Sequence, residues 1–179
     1  KNTFKKNTFS FLILVLISIY SVNSQNASEI LIYADEIFYD KNNNLIGKGK
    51  AKILYENQII NSDLIIYNKN LNKIIIPKSF KYKDEQNNLF YGTEGSFDTN
   101  FKNGFIKNVK IQLSDGSRIV GDKFQREENI DIISKGVYSP CSSRIKVGNF
   151  ICPTWQLEGE KILHDNNNLL LYQKHSKMR

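Results

Sequence analysis

The feature that most constrains the fold of this chain is that it repeats itself. Residues 34–46 return as residues 62–74, an offset of 28, with Asp35, Ile37 and Tyr39 matched by Asp63, Ile65 and Tyr67. A further copy fills residues 159–170, where Glu160, Ile162 and His164 take the same places, and weaker copies start at Glu94 and Asp122. The template is a small residue, an acid, then an apolar and an aromatic residue spaced by two, then Asp or Asn, a polar turn and a second apolar run. Strand side chains alternate between faces, so Ile37 with Tyr39, and Ile65 with Tyr67, each make one apolar face. One such hairpin cannot close a core, whereas several stacked hairpins bury a continuous interior. The repeat therefore predicts an all-β fold: an antiparallel β-jelly roll or β-solenoid built from strand-turn-strand units.

Composition supports strands and turns together. The chain holds 24 Ile and 11 Phe against 3 Pro, a supply of β-branched and aromatic residues that favours strands. Its 22 Asn cluster between the apolar runs, where Asn tolerates left-handed backbone and caps reversals with its side chain. Asn103-Gly104 and Asp115-Gly116 read as hairpin turns. Ile74-Ile75-Ile76 and Leu64-Ile65-Ile66 are apolar on both faces, as in strands covered on two sides, and Pro77 ends the first of them.

The first nine residues are basic, and Phe11 to Ile17 is an apolar run followed by small residues at Val22-Asn23-Ser24. This is the layout of a signal peptide over residues 1–24, too short in its apolar part to span a bilayer, with the exported domain over residues 25–179. The net charge of +7 falls once Lys1, Lys5 and Lys6 are set aside, leaving 22 basic against 18 acidic residues. Basic residues and acids then alternate along the chain with no nucleic-acid-binding motif, so no nucleic-acid partner is expected.

Catalytic readings are poorly supplied. Cys141 or Cys152 with His164 lacks a third orienting group. His164 and His175 lack metal-ligand spacing, and His164 stands at the Tyr39/Tyr67 place of the repeat, as an ordinary strand residue. No phosphate-binding glycine loop is present. The expectation is a non-enzyme without metal or cofactor. Trp155 reads as a core residue rather than a sugar platform. Two cysteines in an exported chain suit an oxidising compartment, and a Cys141–Cys152 bridge would close a short loop worth about 3 kcal/mol. Free thiols stay open as the alternative.

The stretch Gly49-Lys50-Ala51-Lys52-Ile53-Leu54-Tyr55, the apolar pair Ile59-Ile60, and Ser62-Asp63-Leu64-Ile65-Ile66-Tyr67 resemble the OstA-like repeat of the LptA/LptD family of lipopolysaccharide transport proteins. The likeness runs over about residues 30 to 172. Tyr138-Ser139-Pro140-Cys141, Cys152-Pro153-Thr154-Trp155 and Ile162-Leu163-His164-Asp165 resemble the end of the amino-terminal domain in the LptD branch. In that branch an outer-membrane β-barrel follows, and the resemblance implies that Cys141 pairs with a cysteine of that barrel. The present sequence lacks the barrel, so the resemblance implies a fragment.

What the resemblance implies for function is a periplasmic domain at the outer membrane that shields lipopolysaccharide acyl chains between splayed sheets. Its apolar trough would be lined by Ile37, Tyr39, Ile53, Tyr55, Ile65 and Tyr67. An LptA-like bridge protein would add to the edge strand Ile30-Leu31-Ile32-Tyr33, and the missing barrel and an LptE-like lipoprotein would be further partners. The alternatives are a free-standing LptA-like bridge protein and a carbohydrate-binding or structural β-solenoid unrelated to lipid.

Overall fold

The computed structural model describes residues 29–141, 145–147, 150–152, 155–168 and 170–179, with the backbone alone for residues 145–147 and 150–152; the expected signal peptide lies outside these residues. Two short strands, β1 (Leu31–Tyr33) and β2 (Glu36–Tyr39), precede the long pair β3 (Leu45–Tyr55) and β4 (Gln58–Asn68). Four short strands follow, β5 (Lys73–Ile76), β6 (Phe80–Lys83), β7 (Leu89–Gly92) and β8 (Glu94–Asp98). Then come three long ones, β9 (Asn103–Gln112), β10 (Arg118–Glu127) and β11 (Ile130–Ser139). A small hairpin of β12 (Ile145–Val147) and β13 (Phe150–Cys152) leads to β14 (Leu157–Asp165), β15 (Leu170–Lys174) and β16 (Lys177–Met178). All pairings are antiparallel, and fourteen of the strands form one sheet. The all-β antiparallel expectation holds.

The sheet is folded over along a line that crosses the long strands β3, β4, β9, β10 and β11. One end of β4 pairs with β6 and the other with β5, while β9 pairs with β7 at one end and β8 at the other. Between β5 and β6 stands Pro77, which has no N–H to donate to a ladder. The unbroken strands pass the same level through irregular backbone. In β3 the register slips between Lys48 and Ala51, where Gly49 (φ 76°) and Lys50 (φ 44°) make a bulge. Asn108 in β9 and Lys135 in β11 are also left-handed, each at φ 48°. Small residues face inward along this line because the two leaves meet there. A Cβ on Gly121 would lie 2.3 Å from Ile133 Cγ2, and one on Gly136 2.5 Å from Ile162 Cδ1.

Register defines what each leaf turns inward. In the first leaf Ile32, Ile53, Ile60, Tyr82 and Phe90 lie opposite one another in succession, and Ile111 and Ile119 extend the row. In the second leaf the successive partners are Tyr39, Leu45, Tyr67, Ile74 and Phe97, then Gly104, Arg126, Asp131 and His164. Rings from the two leaves meet in the middle: Tyr82 with Phe97 at 5.3 Å, and Phe90 edge-on to Phe124 at 5.2 Å. Burial of these rings and of Ile53, Ile60, Ile65, Ile74 and Ile106 is essentially complete, and it supplies the main drive for closing the leaves.

The Asn-rich turns are carboxylate clamps. Asp40 Oδ1 accepts the backbone N–H of Asn42 and Asn44, and its Oδ2 accepts the Asn44 side-chain amide. Asp84 repeats the clamp on Asn88, and Asp165 does so on Asn167 and Asn168. Asn43 (φ 61°) and Asn87 (φ 66°) occupy the left-handed place. Asp115-Gly116 turns as expected, with Gly116 N–H donating to Leu113 O at 2.9 Å. Asn103-Gly104 does not: both residues belong to β9, and the reversal comes earlier, between Asp98 and Asn103. The reason is Phe101, which takes φ 58° in the turn and drives its ring into the core at 3% exposure. Burying an aromatic ring outweighs the cost of a left-handed non-glycine residue.

These clamps give a pH prediction. Bonds from the Asn44 side chain hold the Asp40 carboxyl below the usual range, and those from Asn168 do the same for Asp165. Their stabilisation is full above the ordinary Asp value and is lost as pH falls through the depressed folded values. Asp84 goes the other way, because burial raises it despite the same clamp. A carboxyl NMR titration should place Asp40 and Asp165 below about 3.9 and Asp84 above it. A common midpoint for all three would refute the distinction.

Candidate functional site

At the amino-terminal edge the two leaves are not closed. Tyr55 from β3 and Tyr67 from β4 face each other across a cavity of about 500 Å³, which Ile30, Ile32, Leu45, Thr99 and Asn100 complete. Ile30 and Ile32 point into it, whereas the alternate residues Leu31 and Tyr33 point out and are exposed. Beyond the cavity Ile37 and Tyr39 continue the inward face of the second leaf with nothing across from them among the described residues, at 49% and 66% exposure. All six residues expected to line a trough thus share the inward face, in three different settings. Ile53 and Ile65 are sealed core, Tyr55 and Tyr67 line a half-buried mouth, and Ile37 and Tyr39 stand open.

The trough does not run through the molecule. Phe101 closes the inner side of the mouth: its ring lies 5.6 Å from Tyr55, stacks on Tyr82 at 5.7 Å, and meets Phe97 at 5.6 Å. Behind it the interior is filled by the chain's own side chains. The expected long channel is therefore reduced to the mouth and the open inward face beside it, because large rings at the Phe97 and Phe124 places of the repeat fill the space between the leaves.

Further along the same inward row the interior turns polar. Arg126 Nε and Nη2 donate to Asp131 Oδ1 at 2.7 Å and Oδ2 at 2.9 Å, with side chains only 10% and 6% exposed. Burial opposes the guanidinium charge, but the Asp131 bonds outweigh it and hold Arg126 well above its usual value. Its guanidinium also lies 5.4 Å from the Phe124 ring and 5.6 Å from that of Phe90. Asn166 donates to Asp131 Oδ2 at 3.0 Å, and His164 Nδ1 is 4.0 Å from the same oxygen. Tyr82 OH donates to Gln58 Oε1, and burial pushes the phenol up. A second cavity of about 280 Å³ opens above this network among Tyr55, Glu56, Asp84, Phe101, Arg126 and Asn166. The sequence reading missed Arg126, although it stands at the aromatic place of the repeat copy that starts at Asp122. That mismatch was the available signal.

His164 stands where the repeat put it, in register with the Tyr39 and Tyr67 row, and His175 lies on the surface 2.6 Å from Glu160. Trp155 is half-buried against Tyr138, ring centroids 6.1 Å apart. Cys141 is disulfide-bonded, while the side chain of Cys152 lies outside the described residues. Among the described residues no cluster of His, Cys, Asp and Glu could hold a metal ion. β1 and β2 pair only with β3, and β15 and β16 only with β14, so among the described residues both ends of the sheet are unpaired.

No protein-family model matches this chain. A comparison with curated proteins likewise finds no match. Among solved structures the chain matches LptH of Pseudomonas aeruginosa, the LptA-homologous periplasmic component of the conserved lipopolysaccharide transport device, at 12% identity over 85% of this chain and 94% of that one, with a TM-score of 0.33.

Proposed function

We propose that this chain is a periplasmic carrier of lipopolysaccharide acyl chains, the amino-terminal domain of an LptD-type translocon. The observation that carries this reading is the apolar mouth at the amino-terminal edge, where Tyr55 and Tyr67 line a half-buried cavity and Ile37 and Tyr39 beside it are exposed. A lipid tail in water costs about 0.8 kcal/mol per methylene, so a twelve-carbon chain gains roughly 10 kcal/mol on finding such a surface. The cavity lies within the usual range for apolar ligand sites, roughly 300–1,000 Å³. In this reading the tails lie in the mouth and along Ile37 and Tyr39, and sugars and phosphates stay in solvent. An LptA-like bridge protein adds its strand to β1, whose outer edge is unpaired among the described residues, and the barrel and an LptE-like lipoprotein receive the lipid. A free-standing bridge subunit is the second reading, favoured by strands left unpaired at both ends of the sheet among the described residues.

Photo-crosslinking tests the site. Crosslinkers at Tyr67 and Tyr55 should capture lipopolysaccharide, whereas those at Leu64 and Ile66, on the outer face of β4, should not. Capture at Leu64 and Ile66 alone would sink the acyl-chain reading.

A further inference from the structure

The outer face of the first leaf carries a charge pattern that the acyl-chain reading does not use. Across from Asn61 on β4 lie Lys52 on one side and Lys81 on the other; Tyr91 follows opposite Lys81, and Lys110 opposite Tyr91. One step along the strands, Lys83 lies opposite Leu89, and Arg118 opposite Gln112. Directly paired residues share a face, and so do residues two apart in a strand. Lys52, Lys81, Lys83, Lys110 and Arg118 therefore stand on one surface, and among the described residues none of them makes an ion pair. Between them are Leu31, Tyr33, Ile59, Leu89, Tyr91 and Val120, of which Tyr33 is 51% and Val120 41% exposed. Lys81 Nζ lies 5.7 Å over the Tyr91 ring. From β1 to β11 these two rows contain no acid. Among the described residues acids return only at the borders: Glu29 before β1, Glu56, Glu85 and Asp115 in turns, Asp35, Asp63 and Asp122 along the fold line, and Glu158 on β14. Asp122 is there neutralised by Lys135 at 3.0 Å.

We propose that this face docks on an anionic phospholipid bilayer. Uncompensated basic residues interleaved with tyrosine and aliphatic side chains match a charged interface that also accepts apolar groups to shallow depth. Lysine stems lie along such a surface with their ammonium groups at the phosphates. The rows form an extended sheet face, and the cavities described above open between the leaves or at the turns, so a planar partner fits better than an acidic segment that needs a groove. The proposal does not rest on the acyl-chain reading, since it concerns the opposite side of the leaf.

The test is co-sedimentation of the full chain with vesicles of phosphatidylcholine, with or without phosphatidylglycerol. The chain should bind the anionic vesicles, ignore the neutral ones, and be released by salt. The triple variant Lys81→Gln, Lys83→Gln, Lys110→Gln should lose binding on the order of a hundredfold, at roughly fivefold for each surface-adjacent charge. The matching Lys→Arg triple should retain it, which separates lost charge from lost folding. Lys107→Gln with Lys123→Gln, on the other leaf, should leave binding unchanged. In a Tyr91→Trp variant the new fluorophore should shift to the blue with anionic vesicles alone. Equal binding to neutral vesicles, no loss in the glutamine triple, or an unshifted fluorophore would overturn the proposal. Binding of polyglutamate without binding of anionic vesicles would overturn it too, and would make the face a protein-docking surface.

Discussion

Asp131→Ala is expected to destabilise the fold by about 3–5 kcal/mol, because it leaves the Arg126 guanidinium buried without its counter-charge. Both side chains are nine-tenths or more buried, so solvent cannot replace the lost partner. Asn166 loses an acceptor in the same step. Arg126→Met alone should also be costly, since it leaves the buried Asp131 carboxylate beside Asn166 and His164 without its counter-charge. The double variant Arg126→Met, Asp131→Leu should recover most of the loss, because an apolar pair of similar volume avoids the desolvation cost of both ions. Urea denaturation of Asp131→Leu, Arg126→Met and the double variant forms a double-mutant cycle. If the double variant is as unstable as the sum of the single ones, the two side chains do not act as a pair.

Phe97→Ala should cost a similar amount, about 3–5 kcal/mol, through the cavity it opens at the centre of the molecule. The ring is 1% exposed and touches Phe80, Tyr82 and Phe101, so it ties the two leaves together and supports the Phe101 plug. Phe97→Leu should cost distinctly less, since it keeps most of the apolar volume. Denaturant midpoints measure both. A loss near zero for the alanine variant would mean that the leaves close without this contact. On the proposed acyl-chain reading, lipid capture gives a second readout, because loosening Phe101 extends the mouth inward toward the filled interior.

The repeat made much of the site legible before any coordinates. Alternation along residues 62–68 put Ile65 and Tyr67 on the opposite face to Leu64 and Ile66, and the register keeps Ile65 and Tyr67 inward. The Asp and Asn clusters marked the reversals at residues 40–44 and 165–168 correctly, because those turns are held by bonds within five residues. Asn103-Gly104 misled for the opposite reason: a distant demand, the burial of Phe101, moved the turn upstream. Arg126 was passed over because its meaning depends on Asp131 in the next strand and on the rings of Phe90 and Phe124.

Local chemistry by itself determined the strands, most of the reversals and which residues share a face, since these follow from side-chain alternation and from hydrogen bonds between near neighbours. Only the tertiary structure decided which inward residues are core and which are open. Ile37 and Ile65 occupy the same place in the repeat, yet one is half exposed and the other sealed. The difference is set by what stands across the gap after the sheet folds over at Gly49, Pro77, Asn108 and Lys135, and a residue's own neighbours in the chain carry no information about that.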